Sequence, residues 1–274
     1  VNVIKVLGGI GNQMFQYAFG KVLELKGKEV AYDLSWYIAK RAYDPNYPRP
    51  FRLDCFQLSP YNQSLFVHGN PVIYENKVLY YPKIFDLTKD ANFYGYWQYY
   101  PYYESIIPQL QKEFQLKEEY KTKEYKSVLK QIRGTDSVSM HVRRGDYQLH
   151  REGCFRDLKA KYYFDALSMI KGDVFIFSDD IPWCKETFRK EYFNRKITFV
   201  DLEDYQCIDL MRQCANNINT NSTFSWWAAV LNPNPDKKVI CPITYQGDGV
   251  DNSEAVRYPK SWIKIEDYAN QQVG

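Results

Sequence analysis

Two adjacent arginines sit in the run His141-Val142-Arg143-Arg144-Gly145-Asp146-Tyr147, and the chemistry they offer is anion binding. A guanidinium stays charged at any working pH, and its planar fork of donors matches phosphate oxygens. Before them Val138, Met140 and Val142 alternate with Ser139, His141 and Arg143. That period of two predicts a strand over 138–143, with one face buried and the other carrying His141 and Arg143. Gly145 breaks the strand and Asp146 falls in the turn. A lone Arg-Arg-Gly-Asp also describes a solvated surface loop, so its meaning depends on the rest of the chain.

Three further segments place polar groups beside strand ends. Gly8-Gly9-Ile10-Gly11-Asn12-Gln13 lets the backbone approach a ligand closely and leads into a helix that presents amides. Its spacing is neither the dinucleotide GxGxxG nor a P-loop; a tight turn and an anion site both fit. In Ser178-Asp179-Asp180-Ile181-Pro182, Asp180 suits a helix cap and Pro182 the first turn. One of these carboxylates could instead accept the paired donors of a base such as guanine. A divalent ion is a weaker reading, because the arginines already supply positive charge. In Asn221-Ser222-Thr223-Phe224-Ser225-Trp226-Trp227, Ser222 or Thr223 suits a cap, and the same hydroxyls and amides suit a phosphate. The tryptophans read as core, and the Asn-Ser-Thr sequon reads as chance.

Alternating elements position these groups. Val3–Leu7 reads as a strand, Met14–Leu25 as a helix stopped by Gly27, and Val30–Asp33 as a second strand. Residues 41–60, with Pro45, Pro48 and Pro50, read as loop; 94–103 is dense in tyrosine. Lys112–Lys130 reads as exposed helix leading to a domain boundary. From Ser137 the pattern is regular: strands at 138–143, 173–178, 197–201, 217–219 and 238–241, with helices near 158–171, 182–192, 204–215 and from Thr223. Such alternation implies a parallel sheet covered by helices. Ligands bind beyond the carboxyl ends of its strands, which puts Arg143, Asp179, Asp201 and Asn221 along one edge.

Composition narrows the classes. The chain has 274 residues, enough for one large domain or two ordinary ones, and 45% hydrophobic content supports a core. Aromatics reach 17%, with 25 Tyr; such rings suit either core packing or sugar faces. The formal charge of +3 is too balanced for wholesale nucleic-acid binding. Cys55, Cys154, Cys184, Cys207, Cys214 and Cys241 show no metal-type spacing and read as reduced thiols in a cytosolic protein. No signal peptide and no membrane-spanning apolar run is expected.

Taken together, GGIGNQMFQYA at 8–18, GYWQ at 95–98, HVRRGDY at 141–147, FSDD at 177–180 and NSTFSWWAA at 221–229 resemble the α-1,2-fucosyltransferases of glycosyltransferase family 11. The motifs occur in the family's order across most of the chain. Mammalian members carry a membrane anchor and stalk, and the resemblance is to the bacterial members. It implies an α/β, GT-B-like fold of two Rossmann-like domains facing across a cleft: 1–133 on the acceptor side and 134–274 on the GDP-fucose side. It implies L-fucose moved from GDP-β-L-fucose to O2 of a terminal galactose with inversion, in O-antigen or surface-glycan synthesis, with no cofactor and no obligatory metal; the alternatives are a GDP-fucose-dependent fucosyltransferase of another linkage and a non-catalytic nucleotide-sugar-binding protein. Localisation would be cytoplasmic, at most peripheral to the membrane.

The resemblance also implies roles. Arg143 and Arg144 would bind the donor diphosphate and His141 would lie near the guanosine. Asp179 or Asp180 would read guanine. Asn221, Ser222, Thr223 and Phe224 would hold phosphate, while Gly9, Gly11, Asn12 and Gln13 would face the donor from the other domain. Tyr96, Trp97 and Gln98 are acceptor-side candidates. One-step inversion calls for a base; Asp146 and Asp33, at loop-facing strand ends, are the candidates, Asp146 first.

Overall fold

The computed structural model describes residues 1–38, 49–75, 80–145, 158–189, 194–244 and 257–268. The chain divides into two units, Val1–Gln115 with Ala255–Tyr258, and Leu116–Glu254 with Pro259–Gly274. The first contains β1 (Asn2–Lys5), α1 (Ile10–Leu25), β2 (Val30–Asp33), α2 (Ser35–Ile38), β3 (Asn62–Gln63), β4 (Val72–Tyr74), β5 (Asn92–Tyr94) and α3 (Ile107–Glu113). Its sheet is parallel throughout, in the order β3-β2-β1-β5-β4.

Helix α1 starts at Ile10, earlier than the apolar spacing predicts, so the glycine-rich run is itself the helix entry. It packs directly on the sheet. A Cβ on Gly20 would lie 2.2 Å from Tyr32 Oη and 2.9 Å from Ile4 Cδ1, so only glycine permits this approach. Gly27, at φ +77°, ends the helix in the left-handed conformation that glycine adopts without cost. The aromatic richness of this unit is largely core. Phe19 stacks on Trp97 with centroids 4.3 Å apart and meets Phe85, Phe93 and Tyr102 edge-on or tilted. Each such ring, fully buried, contributes about 1.5–3 kcal/mol of burial.

The second unit contains α4 (Lys123–Arg133), β6 (Ser137–Val142), α5 (Ala160–Ser168), β7 (Asp173–Ser178), α6 (Ile181–Thr187), β8 (Ile197–Val200), α7 (Asp204–Arg212), β9 (Asn216–Ile218), α8 (Thr223–Leu231), β10 (Val239–Pro242) and β11 (Ile263–Ile265). Its parallel sheet runs β11-β10-β9-β6-β7-β8. Counted from β6 this is the doubly wound order 3-2-1-4-5-6. The order reverses between β6 and β9 here, and between β1 and β5 in the first unit. Ligand crevices open outside the carboxyl ends at such reversals.

Three expectations are corrected. The unit boundary falls after Gln115, ahead of the expected 133/134 division. The reason is that α4 buries Tyr125 and Ile132 in the second unit, with the Tyr125 hydroxyl donating to Asp209 Oδ2. The expected long helix over 112–130 is therefore two helices, α3 and α4. The strand at 137–142 is also buried on both faces, because β6 is central and covered on each side; His141 is a core residue, not one on an open face.

Candidate active site

In the second unit, β6 delivers Arg143 and Arg144 to the crevice, and the turn after β7 delivers the acids that hold them. Arg143 Nη1 lies 2.9 Å from Asp179 Oδ2. The Asp179 carboxylate also accepts the Arg144 amide at 2.9 Å and the Gly145 amide at 3.1 Å. Arg144 Nε donates to Asp180 Oδ2 at 3.1 Å, and its guanidinium lies 4.0 Å over the Trp183 ring. Asp180 Oδ1 accepts the Trp183 amide at 3.1 Å and caps α6. One carboxylate thus serves as both cap and arginine anchor. All four charged side chains are partly exposed, so each pair is worth at most about 1 kcal/mol of stability. What the pairs supply is placement: two guanidiniums side by side at the sheet edge.

His141 is 5% exposed. Its Nδ1 lies 3.1 Å from Thr220 Oγ1, and its ring centroid is 5.1 Å from that of Phe224. Burial, aided by the Arg143 charge, pushes its pKa down to about 3, so the imidazole is neutral and serves as a hydrogen-bonding wall. Beside it α8 begins. Ser222 Oγ accepts the Phe224 amide at 3.3 Å as the helix cap, and Ser225 Oγ accepts the Thr220 amide at 3.2 Å. The amino end of α8 turns its positive dipole end and amides toward the β6/β9 reversal. Among the described residues, Asn219, fully buried one residue past β9, has hydrogen-bond partners for neither Nδ2 nor Oδ1.

In the first unit the glycine-rich run meets the Gly95-Tyr96-Trp97-Gln98 motif at the β1/β5 reversal. Gly8, at φ +82°, has no room for a Cβ, which would lie 2.7 Å from Asn12 Nδ2. Gln98 Nε2 donates to Asn12 Oδ1 at 2.9 Å. Gln16 joins the same two segments, accepting the Leu7 amide and donating to Gly95 O, each at 3.0 Å. Gln13 is buried, with Nε2 donating to Gly8 O and Pro50 O and Oε1 accepting the Arg52 amide. It is a strut for the loop, its amide committed to backbone rather than to a ligand. Gly9 and Asn12 are partly exposed at the loop, while Gly11 is buried inside the first turn.

Asp33 is 3% exposed, pairs with Lys5 Nζ at 3.0 Å and accepts the Ser35 amide at 2.9 Å. Burial works to raise its pKa, yet the Ser35 hydrogen bonds and the Lys5 charge hold the carboxyl below its ordinary value. That makes it a poor proton acceptor. Asp146, the other base candidate, lies outside the described residues.

Sequence reasoning passed over four residues that border these loops. Thr220 partners His141 and belongs to a polar run that merited the same reading as Asn221 and Ser222. Trp183 shelves Arg144, and its place in the first turn after Asp180 was the available signal. Arg49 lies beside Gly9, its Cδ 3.4 Å from where a Cβ would stand; an arginine between Pro48 and Pro50 was the clue. Glu75 accepts the Tyr96 amide at 2.7 Å, and nothing in the pattern around it marks it out.

The described residues contain no group of three or more His, Cys, Asp or Glu side chains arranged to hold a metal. No described helix is long and apolar enough to cross a membrane. The five described cysteines, Cys55, Cys184, Cys207, Cys214 and Cys241, are buried; Cys154 lies outside the described residues.

A family model described as "Glycosyl transferase family 11" matches residues 1–266. The O-antigen biosynthesis glycosyltransferase WbnK of Escherichia coli is 28% identical, over 94% of this chain and 98% of its own. An alpha-1,2-colitosyltransferase of Escherichia coli is 30% identical, over 96% and 98%. The galactoside alpha-(1,2)-fucosyltransferase 2 of Rattus norvegicus is 29% identical over 52% of this chain and 44% of its own.

Proposed function

Because the chain belongs to glycosyltransferase family 11, and is therefore a glycosyltransferase, we propose that it moves L-fucose from GDP-β-L-fucose to O2 of a terminal galactose, with inversion, in the assembly of an O-antigen or related surface glycan. The observation that carries the donor half of this reading is the arginine pair: Arg143 and Arg144, anchored by Asp179 and Asp180 at the β6/β9 reversal of a doubly wound sheet. Negative charge grows on the departing GDP as the anomeric C–O bond breaks. Two preplaced guanidiniums and the amino end of α8 stabilise that charge without reorganising. His141, neutral and buried, walls the same crevice with Phe224 and Thr220. Asn221, Ser222, Thr223 and Phe224 line the phosphate end, and Gly9 and Asn12 line the loop of the first unit. Asp179 and Asp180 act first as holders of the arginines; for Asp179 to read guanine as well, it would have to exchange the amides of Arg144 and Gly145.

The acceptor hydroxyl gives its proton to a base as its oxygen attacks the anomeric carbon, and the bond to GDP leaves with its electron pair. Asp146 is the proposed base, because Asp33 is committed to Lys5 and Ser35. No metal is required in this reading: the arginines do the work of neutralising the diphosphate, and the acids that could have held a cation are paired to them. The enzyme acts in the cytoplasm, at most peripheral to the membrane.

The test is GDP-fucose with a panel of β-galactosides, linkage determined by NMR, with and without EDTA. An α-1,2 product formed equally in EDTA is expected; another linkage, hydrolysis alone, or loss of activity in EDTA would each overturn a named part of the reading. The colitosyltransferase relative favours one second reading, a donor carrying colitose, the 3-deoxy relative of fucose. Competing GDP-fucose against GDP-colitose and comparing kcat/KM separates the two.

A further inference from the structure

In the first unit a cavity of about 280 Å³ opens where β4 ends, lined by Ile73, Tyr74, Glu75, Tyr81, Ile84, Leu87, Trp97 and Tyr102. It is mostly aromatic and aliphatic with a single carboxylate, the composition of a small-molecule site, and its size falls just below the roughly 300–1,000 Å³ that sites for drug-sized ligands span. That admits about one sugar ring. Tyr74 and Tyr81 are 70% and 54% exposed, an unusual state for aromatic rings that border a cavity.

The polar groups at this cavity are unusually arranged. Trp97 is 2% exposed, yet its indole Nε1 has no hydrogen-bond partner among the described residues, although such a group normally finds one when buried. Trp97 also holds φ +59°, a left-handed conformation that bulky residues avoid and that structures retain where something over-determines it. Beside it the Glu75 carboxylate accepts the Tyr96 amide at 2.7 Å, and the amides of Trp97 and Gln98 lie close enough to the same carboxylate to favour its charge. Gly95 makes room for this. A Cβ there would lie 2.3 Å from Glu75 Cβ, 3.0 Å from Glu75 Oε2 and 3.2 Å from Trp97 Cε2, the ring atom bonded to Nε1. The carboxylate and the N–H edge of the indole therefore flank the same point.

We propose that this cavity is the subsite for one pyranose ring of the acceptor glycan, with Tyr74 and Tyr81 against the apolar faces of the sugar and with Glu75 and Trp97 Nε1 as hydroxyl acceptor and donor. The inference rests on the transferase reading above for the word acceptor, and on the cavity alone for the sugar. An aromatic wall fits the C–H face of a pyranose. A carboxylate already held by the Tyr96 amide accepts a sugar hydroxyl with little further ordering. Burial raises the Glu75 carboxyl above its ordinary range, although the nearby amides of Tyr96, Trp97 and Gln98 and the Arg257 charge pull the other way.

Tyr74→Ala and Tyr81→Ala change exposed side chains and leave the fold intact; Glu75→Gln and Trp97→Phe complete the set, with far-UV and near-UV circular dichroism as the folding control. Saturation-transfer NMR with the β-galactoside panel, without donor, reads sugar binding whatever the reaction is. Expected is a sugar signal in the wild-type protein that weakens in both tyrosine variants. On the acceptor that turns over, KM should rise roughly three- to ten-fold while KM for GDP-fucose stays put. A sugar signal unchanged in the tyrosine variants, no sugar signal at all, or a rise confined to the donor KM would each overturn the subsite. Failure of wild-type protein to turn over GDP-fucose, with the sugar signal and its loss intact, would overturn the donor reading and leave the sugar site standing.

Discussion

The two units put a reversal of strand order to different physical use. At the β6/β9 reversal the polar groups are charged and partly exposed, and they hold one another in place: Arg143 with Asp179, Arg144 with Asp180 and Trp183. At the β1/β5 reversal they are neutral amides, largely buried and bound to backbone or to each other: Gln13, Gln16, and Gln98 with Asn12. Charges near water cost little to keep and act at a distance, so they suit a ligand that arrives and departs as an anion. Buried amides are expensive to misplace, so they suit a loop whose shape must not change. The difference teaches that the same topology can present either a field or a mould.

The sharpest way to break this contrast is to remove one member from each side. Arg144→Ala should lower kcat by roughly 10²–10³, the cost of losing one preplaced charge at a leaving group. Its unfolding midpoint in urea should stay within about 1 kcal/mol of wild type, since exposed pairs contribute little. A folded variant with full activity would end the role given to the pair. Gln13→Ala should do the reverse. It leaves the Arg52 amide and the Gly8 and Pro50 carbonyls without the side chain that serves them, a loss of about 3 kcal/mol in stability. If Gln13→Ala instead unfolded at the wild-type urea concentration, the mould description of the first unit would be wrong.

Much of the second unit was legible because its strands and helices alternate with little interruption. The strand at Asp173–Ser178 falls where its pattern predicts, and the helix from Thr223 follows a polar cap as hydroxyl chemistry requires. The first unit resisted. Its β3 and β4 are only a few residues long, too short for any period to show, and its 94–103 stretch combines a strand end, one 3-10 turn and aromatic packing. His141 was misplaced on an open face because alternation reports two faces but not whether a helix covers both. Gln13 looked like a ligand group because a polar side chain in a glycine-rich run gives no sign of which carbonyls it will meet. Glu75 was invisible for the same reason, its amide partner Tyr96 lying in a distant segment. The arginine pair was readable because charge, unlike burial, is written in the residue type.

The contrast has a last and smaller signature in acid. His141 is neutral in the fold at a pKa near 3, against an ordinary value of about 6.5 when unfolded. A group whose folded pKa is depressed lends stability that is complete above the unfolded value and is lost as pH falls from there toward the folded one. Falling from pH 8 to pH 5.5 should therefore cost the second unit about 1.4 kcal/mol through this residue. Two carboxylates of the first unit act in a lower window. Asp33 and Glu113 are held below their ordinary values despite burial, the first by Ser35 and Lys5, the second by Tyr17, Gln109, Lys21 and Ser59. Their contribution is present above the unfolded carboxylate range, near pH 4, and goes only as pH falls beneath it. Urea unfolding of wild type and His141→Gln at pH 8 and 5.5 separates the two, because every other group titrates alike in both proteins. The variant should lose about 1.4 kcal/mol less over that interval. Equal losses would mean that the imidazole is not the neutral, desolvated group its surroundings require, and the wall of the arginine crevice would have to be redrawn with a charge in it.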